Sequence, residues 1–194
     1  MDKLDVIDFF DKHAPSWDAE LIRNDSVINK ILNGAEVRQG SKVLDVACGT
    51  GVLIPDYLKR DVSSVLGVDI SPKMIEIAAE KFKDPRVKFI CTDVETLNFS
   101  EEFDCCVVYN AFPHFPDPAS LIRSLAKSLK VGGTLTIAHG MSRAKIDSHH
   151  SHSAGAVSVG LMHEDALAEL FLPYFEITVK ISDDTMYQVT GKKK

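Results

Sequence analysis

The 194-residue sequence has no long apolar run, a single tryptophan and no excess of positive charge. No stretch approaches the roughly 20 apolar residues that a membrane-spanning helix needs, and the charged start, MDKLDV, contains no secretory apolar segment. The 22 basic and 28 acidic residues give a net charge of −6, whereas proteins that bind a phosphate backbone normally carry a basic surface. We therefore predict a cytoplasmic protein with no membrane span and no nucleic-acid partner.

Cysteine is also sparse, and no two of the four cysteines have the C-x-x-C spacing of a zinc or redox motif. We predict that all four are reduced, and that most are buried in strands. The length and the 45% hydrophobic content fit one domain with a sizeable core. There are no internal repeats, low-complexity segments or long linkers, so residues 1–194 are predicted to form a single domain.

From Lys42 onward, strand-like and helix-like segments alternate. Parallel strands need crossover connections, usually helices, and this alternation therefore predicts an α/β fold with a parallel sheet. Two further β-rich segments close the chain. The predicted strands are 42–47, 64–69, 87–91, 103–109 and 134–138, the helices between and after them are about 51–60, 72–83, 117–130 and 163–173, and the closing β-rich segments are 175–181 and 186–190.

The two ends of this pattern are less regular. Residues 1–39 have apolar residues at helical spacing, and Pro15 interrupts them, which predicts two helices with a joint near the proline. Residues 139–162 form a connection longer than a compact domain usually needs.

The most informative stretch is residues 43–51, VLDVACGTG. It is typical of a buried parallel strand that ends in a tight, small-residue turn lying against a ligand. A dinucleotide fingerprint would have a third glycine where this chain has Ile54, so a nicotinamide-dependent oxidoreductase is disfavoured. A second acid, Asp69, ends the next strand, where it can accept hydrogen bonds from two ribose hydroxyls.

Together these features resemble the class I S-adenosylmethionine-dependent methyltransferases, and the resemblance covers about residues 40–194. It implies a three-layer α/β/α sandwich with a mostly parallel, seven-stranded Rossmann-like sheet and an antiparallel C-terminal edge hairpin. Within the single methyltransferase domain, residues 1–39 would form an N-terminal helical cap and residues 40–194 the core, with 139–162 as a lid or insert loop.

The resemblance implies S-adenosylmethionine as the cofactor and S-adenosylhomocysteine as its product. In this family, the first-strand acid and the glycine loop lie under the amino acid part of the cofactor, and the second-strand acid holds the ribose. The acid after the third strand accepts from the adenine amino group, and the end of the fourth strand faces the methyl group. The matching positions, predicted to bind the cofactor, are Asp45, Ala47, Cys48, Gly49, Thr50, Gly51, Asp69, Ile70, Met74, Asp93, Val94, Asn110 and Ala111.

The segment after the fourth strand, NAFPHF, lacks the Pro-Pro-aromatic motif of some amino-group methyltransferases. It is more similar to the small-molecule methyltransferases of ubiquinone and menaquinone biosynthesis. The resemblance implies methyl transfer to a small-molecule acceptor through an O, S, N or C nucleophile. Two alternatives stay open: a methyltransferase whose acceptor is a metal-bound, corrinoid or thiolate species, and a non-catalytic module that binds S-adenosylmethionine. The protein is predicted to be a monomer or homodimer.

Histidines are unusually frequent between positions 139 and 163. Histidine can serve as a general base because its ordinary pKa lies near neutrality. His114 and His139 are the predicted catalytic residues. Together with Trp17 and Phe112, they are also predicted to bind the substrate. Three interpretations of the cluster compete: a solvated loop, a substrate-pocket wall, and a transition-metal site, although the spacing matches no established zinc signature. The metal ligands would be His149, His150 and His152.

Overall fold

The computed structural model describes residues 2–146 and 157–194. The helices are α1 (Lys3–Glu20), α2 (Asp25–Gly34), α3 (Ile54–Lys59), α4 (Pro72–Lys81), α5 (Pro118–Ser128) and α6 (Glu164–Phe171). The strands are β1 (Lys42–Val46), β2 (Ser64–Asp69), β3 (Val87–Cys91), β4 (Phe103–Tyr109), β5 (Leu129–His139), β6 (Phe175–Ser182) and β7 (Tyr187–Lys193), and short 3-10 turns occupy Val94–Thr96 and Phe112–His114. Within these described ranges, no helix is both long and apolar enough to cross a membrane.

The strands form one sheet in the order β3-β2-β1-β4-β5-β7-β6. The first five strands of this order are parallel to one another, and β7 runs antiparallel to both β5 and β6. The predicted fold class, a mostly parallel seven-stranded sheet with an antiparallel C-terminal edge hairpin, is confirmed. Because the chain returns from β3 to pair β4 with β1, the strand order reverses between β1 and β4. Ligands of open α/β sheets bind at such a switch point.

The central strands are buried on both faces, which explains their nearly continuous apolar sequences. On one face, Leu44 of β1 and Val108 of β4 belong to a core cluster that includes α5 and α6. On the other face, Val43 and Val107 pack with residues of α2 and α3. Helices therefore cover both sides of the sheet and leave the carboxyl ends of β1 and β4 as the accessible edge.

Most predicted boundaries lie within a few residues of the observed ones, and two predictions differ by more. The joint predicted near Pro15 is wrong, because α1 continues through the proline to Glu20. Pro15 lies on the exposed side of the helix, where water can satisfy the carbonyl that loses its N–H donor. The fifth strand starts at Leu129 rather than 134, since Leu129 pairs with Phe103 and a register shift follows before the regular ladder resumes.

Candidate functional site

A cavity lies at the carboxyl ends of β1, β2 and β4, beneath α1. It encloses about 1090 Å³ of empty space that is partly open to solvent. Of the predicted cofactor residues, all except Thr50 and Gly51 line it: Asp45, Ala47, Cys48, Gly49, Asp69, Ile70, Met74, Asp93, Val94, Asn110 and Ala111. Residues separated by more than 60 positions in the sequence thus share one cavity, because parallel strands present their carboxyl ends at the same edge.

The two glycines of the β1–α3 loop have different roles. Both have positive φ, 55° at Gly49 and 84° at Gly51, the left-handed region that favours glycine. A Cβ on Gly51 would lie 2.6 Å from Cε2 of Phe82, so this glycine permits close packing inside the protein. A Cβ on Gly49 would meet only Nε1 of Trp17, at 4.0 Å. Gly49 therefore leaves its open side to the cavity.

Asp45 is the most unusual polar group of the site. Its side chain is deeply buried, with the residue only 2% exposed. Oδ1 accepts a hydrogen bond from the Tyr57 hydroxyl at 3.2 Å, whereas Oδ2 has no hydrogen-bond partner within the described residues. Burial raises the pKa of Asp45 to about 7; the Tyr57 hydrogen bond opposes this rise, and the charge of Asp69 adds to it. A buried, unpaired carboxylate oxygen is costly, and a cationic ligand group in the cavity would supply its partner.

Asp69 connects the glycine loop to the start of α4. Its Oδ2 accepts from the backbone N–H of Gly49 at 2.8 Å, and its Oδ1 accepts from the backbone N–H of Ser71 at 2.9 Å. Burial raises the pKa of Asp69, although these backbone hydrogen bonds lower it in part. Each carboxylate oxygen can accept more than one hydrogen bond. Asp69 can therefore hold the loop and also accept from two neighbouring ligand hydroxyls.

The far end of the cavity is formed by the turn after β3 and the start of α1. The Asp93 side chain accepts from the backbone N–H of Glu95 at 3.0 Å and forms an ion pair with Lys3. Lys3 also lies 3.6 Å from the Glu95 carboxylate. No local sequence pattern predicts this role of Lys3, because its ion pair with Asp93 joins segments 90 residues apart.

The end of β4 is fixed to the end of β5. Asn110 has a positive φ of 55°, and its Oδ1 accepts from the backbone N–H of Gly140 at 2.9 Å. Asn110 and Ala111 line the cavity, as does Tyr109 at the end of the strand. Phe112, in contrast, is a core residue that is 2% exposed and lies outside the cavity lining.

His114 is half-buried and lines the cavity. Its Nδ1 lies 2.6 Å from the carbonyl oxygen of Val157, and its ring stands edge-on to Phe10, with centroids 5.0 Å apart. A carbonyl can only accept, so Nδ1 carries the proton and donates it. In the neutral ring, Nε2 is then the basic nitrogen.

The other predicted histidines are less closely associated with the cavity. His139 ends β5, is buried beside Tyr187 with ring centroids 6.2 Å apart, and does not line the cavity. His163 caps α6 by accepting from the backbone N–H of Asp165. His149, His150 and His152 lie outside the described residues. Within residues 2–146 and 157–194, no three His, Cys, Asp or Glu side chains form a metal-binding group.

Trp17 lines the cavity from α1, with Phe10 beside it at 5.5 Å between ring centroids. The sequence predicts Trp17 but not several other residues of the lining, among them Lys3, Phe10, Leu21, Val52, Thr92, Tyr109 and Phe115. The helical spacing of Phe10 and Trp17 was the one available signal, since residues seven apart share a helix face.

The fold and the lining residues define an α/β protein with a cavity at the switch point of a mostly parallel sheet. Residues 43–133 match the family described as a methyltransferase domain. This match is in line with the resemblance to the class I S-adenosylmethionine-dependent methyltransferases that the sequence motifs indicate.

Several curated relatives are named as O-methyltransferases. A malonyl-[acyl-carrier protein] O-methyltransferase from Priestia megaterium is 27% identical over 173 residues, which cover 87% of this chain and 63% of that protein. A second, from Acetivibrio thermocellus, is 31% identical over 129 residues, 65% of this chain and 46% of that protein. A ubiquinone biosynthesis O-methyltransferase from Paracidovorax citrulli is 34% identical over 109 residues, 53% and 44% of the two chains. This chain therefore spans about half the length of the curated relatives it matches.

Solved structures share the fold. A structure of the Haloferax volcanii Trm112 methyltransferase activator in complex with a methyltransferase matches over 97% of both chains, with a TM-score of 0.82 and 19% identity. An S-adenosylmethionine-dependent methyltransferase from Mesorhizobium loti matches over 95% of this chain and 100% of its own, with a TM-score of 0.71 and 17% identity. At these identities, the likeness supports the fold alone.

Proposed function

We propose that this protein is an enzyme that transfers a methyl group from S-adenosylmethionine to a small-molecule acceptor. The observation that carries the proposal is the buried Oδ2 of Asp45, which has no partner within the described residues and belongs to the same cavity as the open side of Gly49. A cationic amino group that bound beside Gly49 would satisfy this oxygen. S-adenosylmethionine carries such a group at its amino acid end.

The other lining residues fit the remaining parts of the cofactor. Asp69 can accept from the two ribose hydroxyls, while Ile70 and Met74 offer an apolar surface for the adenine. Asp93 can accept from the adenine amino group, although it must share its carboxylate with Lys3. When bound, S-adenosylmethionine supplies a methyl group on a sulfonium, which is electrophilic without further activation.

The residues of this chain then have two tasks. Phe10 and Trp17 cover the cavity and exclude water, which helps to hold the acceptor in line with the methyl group. His114 is the proposed general base: with Nδ1 held by Val157, Nε2 takes the proton that an acceptor hydroxyl or thiol loses. His139 and Phe112 lie outside the described cavity lining, and their roles in catalysis and substrate binding stay predictions.

We propose a small molecule as the acceptor because curated relatives are named for methylating malonyl-[acyl-carrier protein] and for ubiquinone biosynthesis. A cytoplasmic, monomeric or homodimeric protein without a nucleic-acid partner remains our prediction from the sequence. A metal site at His149, His150 and His152 remains an alternative, and metal analysis of untagged protein tests it.

The direct test has two stages. Calorimetric titration with S-adenosylhomocysteine is expected to show one site per chain, and a protein that does not bind it contradicts the proposal. A screen that follows S-adenosylhomocysteine release over phenols, thiols, amines, quinone precursors and malonyl thioesters then identifies the acceptor class. Binding without turnover of any acceptor would favour the non-catalytic module instead.

A further inference from the structure

Helix α1 covers the cavity, but little of its surface is fully buried. Of its 18 residues, only Val6 and Ala14 are buried. Apolar burial is the main source of helix docking energy in most proteins, so the position of α1 depends strongly on polar contacts. These contacts connect it to three segments of the cavity rim: Lys3 with Asp93, Asp11 with Ser71 and Lys73, and Asp18 with Thr50 and Lys81.

The contact at Asp18 joins α1 to the glycine loop itself. One carboxylate oxygen accepts from the hydroxyl of Thr50 at 2.5 Å, and the other lies 2.5 Å from Nζ of Lys81 on α4. Thr50 is completely buried and does not line the cavity, so its hydroxyl serves this contact rather than the ligand. Burial would raise the pKa of Asp18, but the hydrogen bonds from Lys81 and Thr50 outweigh it and lower the pKa. Asp18 is therefore ionised at neutral pH, and its charge strengthens both contacts.

The residue before Asp18 faces the cavity. Trp17 lines it, and its Nε1 is the nearest atom to the open side of Gly49. Neighbouring residues on a helix move together, so a contact that fixes Asp18 against Thr50 also fixes Trp17 opposite Gly49. The hydrogen bond from Thr50 to Asp18, here called the tether, and the indole nitrogen nearest Gly49 therefore lie at two consecutive loop residues.

We infer that Asp18 is a positioning residue: its bond to Thr50 holds Trp17 over Gly49 and so closes α1 on the amino acid end of the cofactor. The inference rests on the proposed function, because that function places the amino acid end of S-adenosylmethionine beside Gly49. Asp18 itself does not line the cavity and acts through Trp17.

Loss of the tether shifts α1 toward open positions. Ligand binding must then restore the closed arrangement. The apparent affinity therefore decreases in proportion to the fraction of unliganded molecules that are closed. A charge-assisted hydrogen bond at a partly exposed site is modest in strength. We expect Asp18→Ala to raise the Kd for S-adenosylhomocysteine by about tenfold and Lys81→Met, which removes one of the two contacts, to raise it by about two- to threefold.

The test combines calorimetry with the fluorescence of Trp17, the sole tryptophan. In the unliganded protein, Asp18→Ala and Thr50→Val are expected to shift the emission toward the red, because Trp17 becomes more exposed. The single variant Thr50→Ser keeps the hydroxyl group and is expected to retain the wild-type spectrum. Asp8→Ala is the matched control: it removes another acid from the exposed side of α1 and is expected to change neither the spectrum nor the Kd. Far-ultraviolet circular dichroism and thermal unfolding identify any variant that does not fold.

A double-mutant cycle separates positioning from general stability. If Asp18 acts through Trp17, Asp18→Ala adds little to the Kd when Trp17 is already alanine. Additive effects, or a wild-type spectrum and Kd in both Asp18→Ala and Thr50→Val, overturn the inference. In that case the wild-type protein still binds S-adenosylhomocysteine, whereas failure of the wild type to bind contradicts the proposed function itself.

Discussion

Replacing Asp45 by asparagine should separate ligand binding from stability in a pH-dependent way. Burial raises the pKa of Asp45 from its ordinary value of 3.8 to about 7 in the folded protein. One pKa unit corresponds to about 1.4 kcal/mol, so ionising Asp45 costs the folded state about 4 kcal/mol at high pH. Asparagine has nearly the same shape and no charge to ionise.

The direction of the pH dependence of stability follows from which state, folded or unfolded, binds the Asp45 proton more tightly. The folded protein binds the Asp45 proton more tightly than the unfolded chain does, so this residue's contribution to stability is greatest below pH 4 and declines until the pH exceeds about 7. Between pH 5 and pH 8, the wild type should lose roughly 2 to 3 kcal/mol relative to Asp45→Asn, which corresponds to roughly 5–10 °C in Tm for a chain of this size. An unpaired amide in the variant adds a penalty, but that penalty is the same at both pH values.

The assay is thermal unfolding of both proteins from pH 5 to pH 8, with and without saturating S-adenosylhomocysteine. Its amino group should pair with ionised Asp45, so the ligand should remove most of the wild-type decline, while Asp45→Asn should bind it roughly 10- to 100-fold more weakly. The titratable groups that face Asp45 from the neighbouring elements are Tyr57, Asp69, Cys48 and Cys106, and they are the same in both proteins. Parallel stability curves for the two proteins across this range would refute the reasoning.

Three further perturbations test other parts of the site. Asp69→Ala should weaken S-adenosylhomocysteine binding by about 1–3 kcal/mol, because the two ribose hydroxyls lose their hydrogen-bond acceptor. Unchanged affinity in calorimetry would show that Asp69 does not bind the ribose. Gly49→Ala and Gly40→Ala both place alanine at positive φ and should each cost about 1 kcal/mol of stability, but only Gly49→Ala should impair ligand binding; equal binding by both variants contradicts an open ligand face at Gly49. His114→Gln should lower kcat about 10²- to 10⁴-fold with little change in S-adenosylhomocysteine affinity, and an unaltered kcat on an identified hydroxyl or thiol acceptor rules it out as the base.

Much of the fold was predictable because the central strands are buried on both faces. Such strands are rich in apolar residues and have sharp ends, and the bounds predicted for β2 and β4 match the structure, as do those of the edge strand β3. The same regularity made the cavity predictable: acids and small residues that follow the strands must meet at one edge of a parallel sheet. Asp45, Gly49, Asp69, Asp93 and Asn110 accordingly line one cavity.

What escaped prediction depends on contacts between distant segments. Pro15 signals a helix break, but whether a helix tolerates proline depends on which side of it faces water. The glycine pattern alone does not distinguish Gly49, open to the cavity, from Gly51, which packs against Phe82. The pairing of Asp18 with Thr50 has no local sequence signature at all, because it joins an exposed helix to a loop 32 residues away.

A crystal structure of the protein with S-adenosylhomocysteine would test the central claim most directly. The account predicts the ligand's amino group within hydrogen-bonding distance of Oδ2 of Asp45, its amino acid part against Gly49, and its ribose hydroxyls on Asp69. A ligand bound elsewhere, or one that leaves the Asp45 oxygen without a partner, would contradict it.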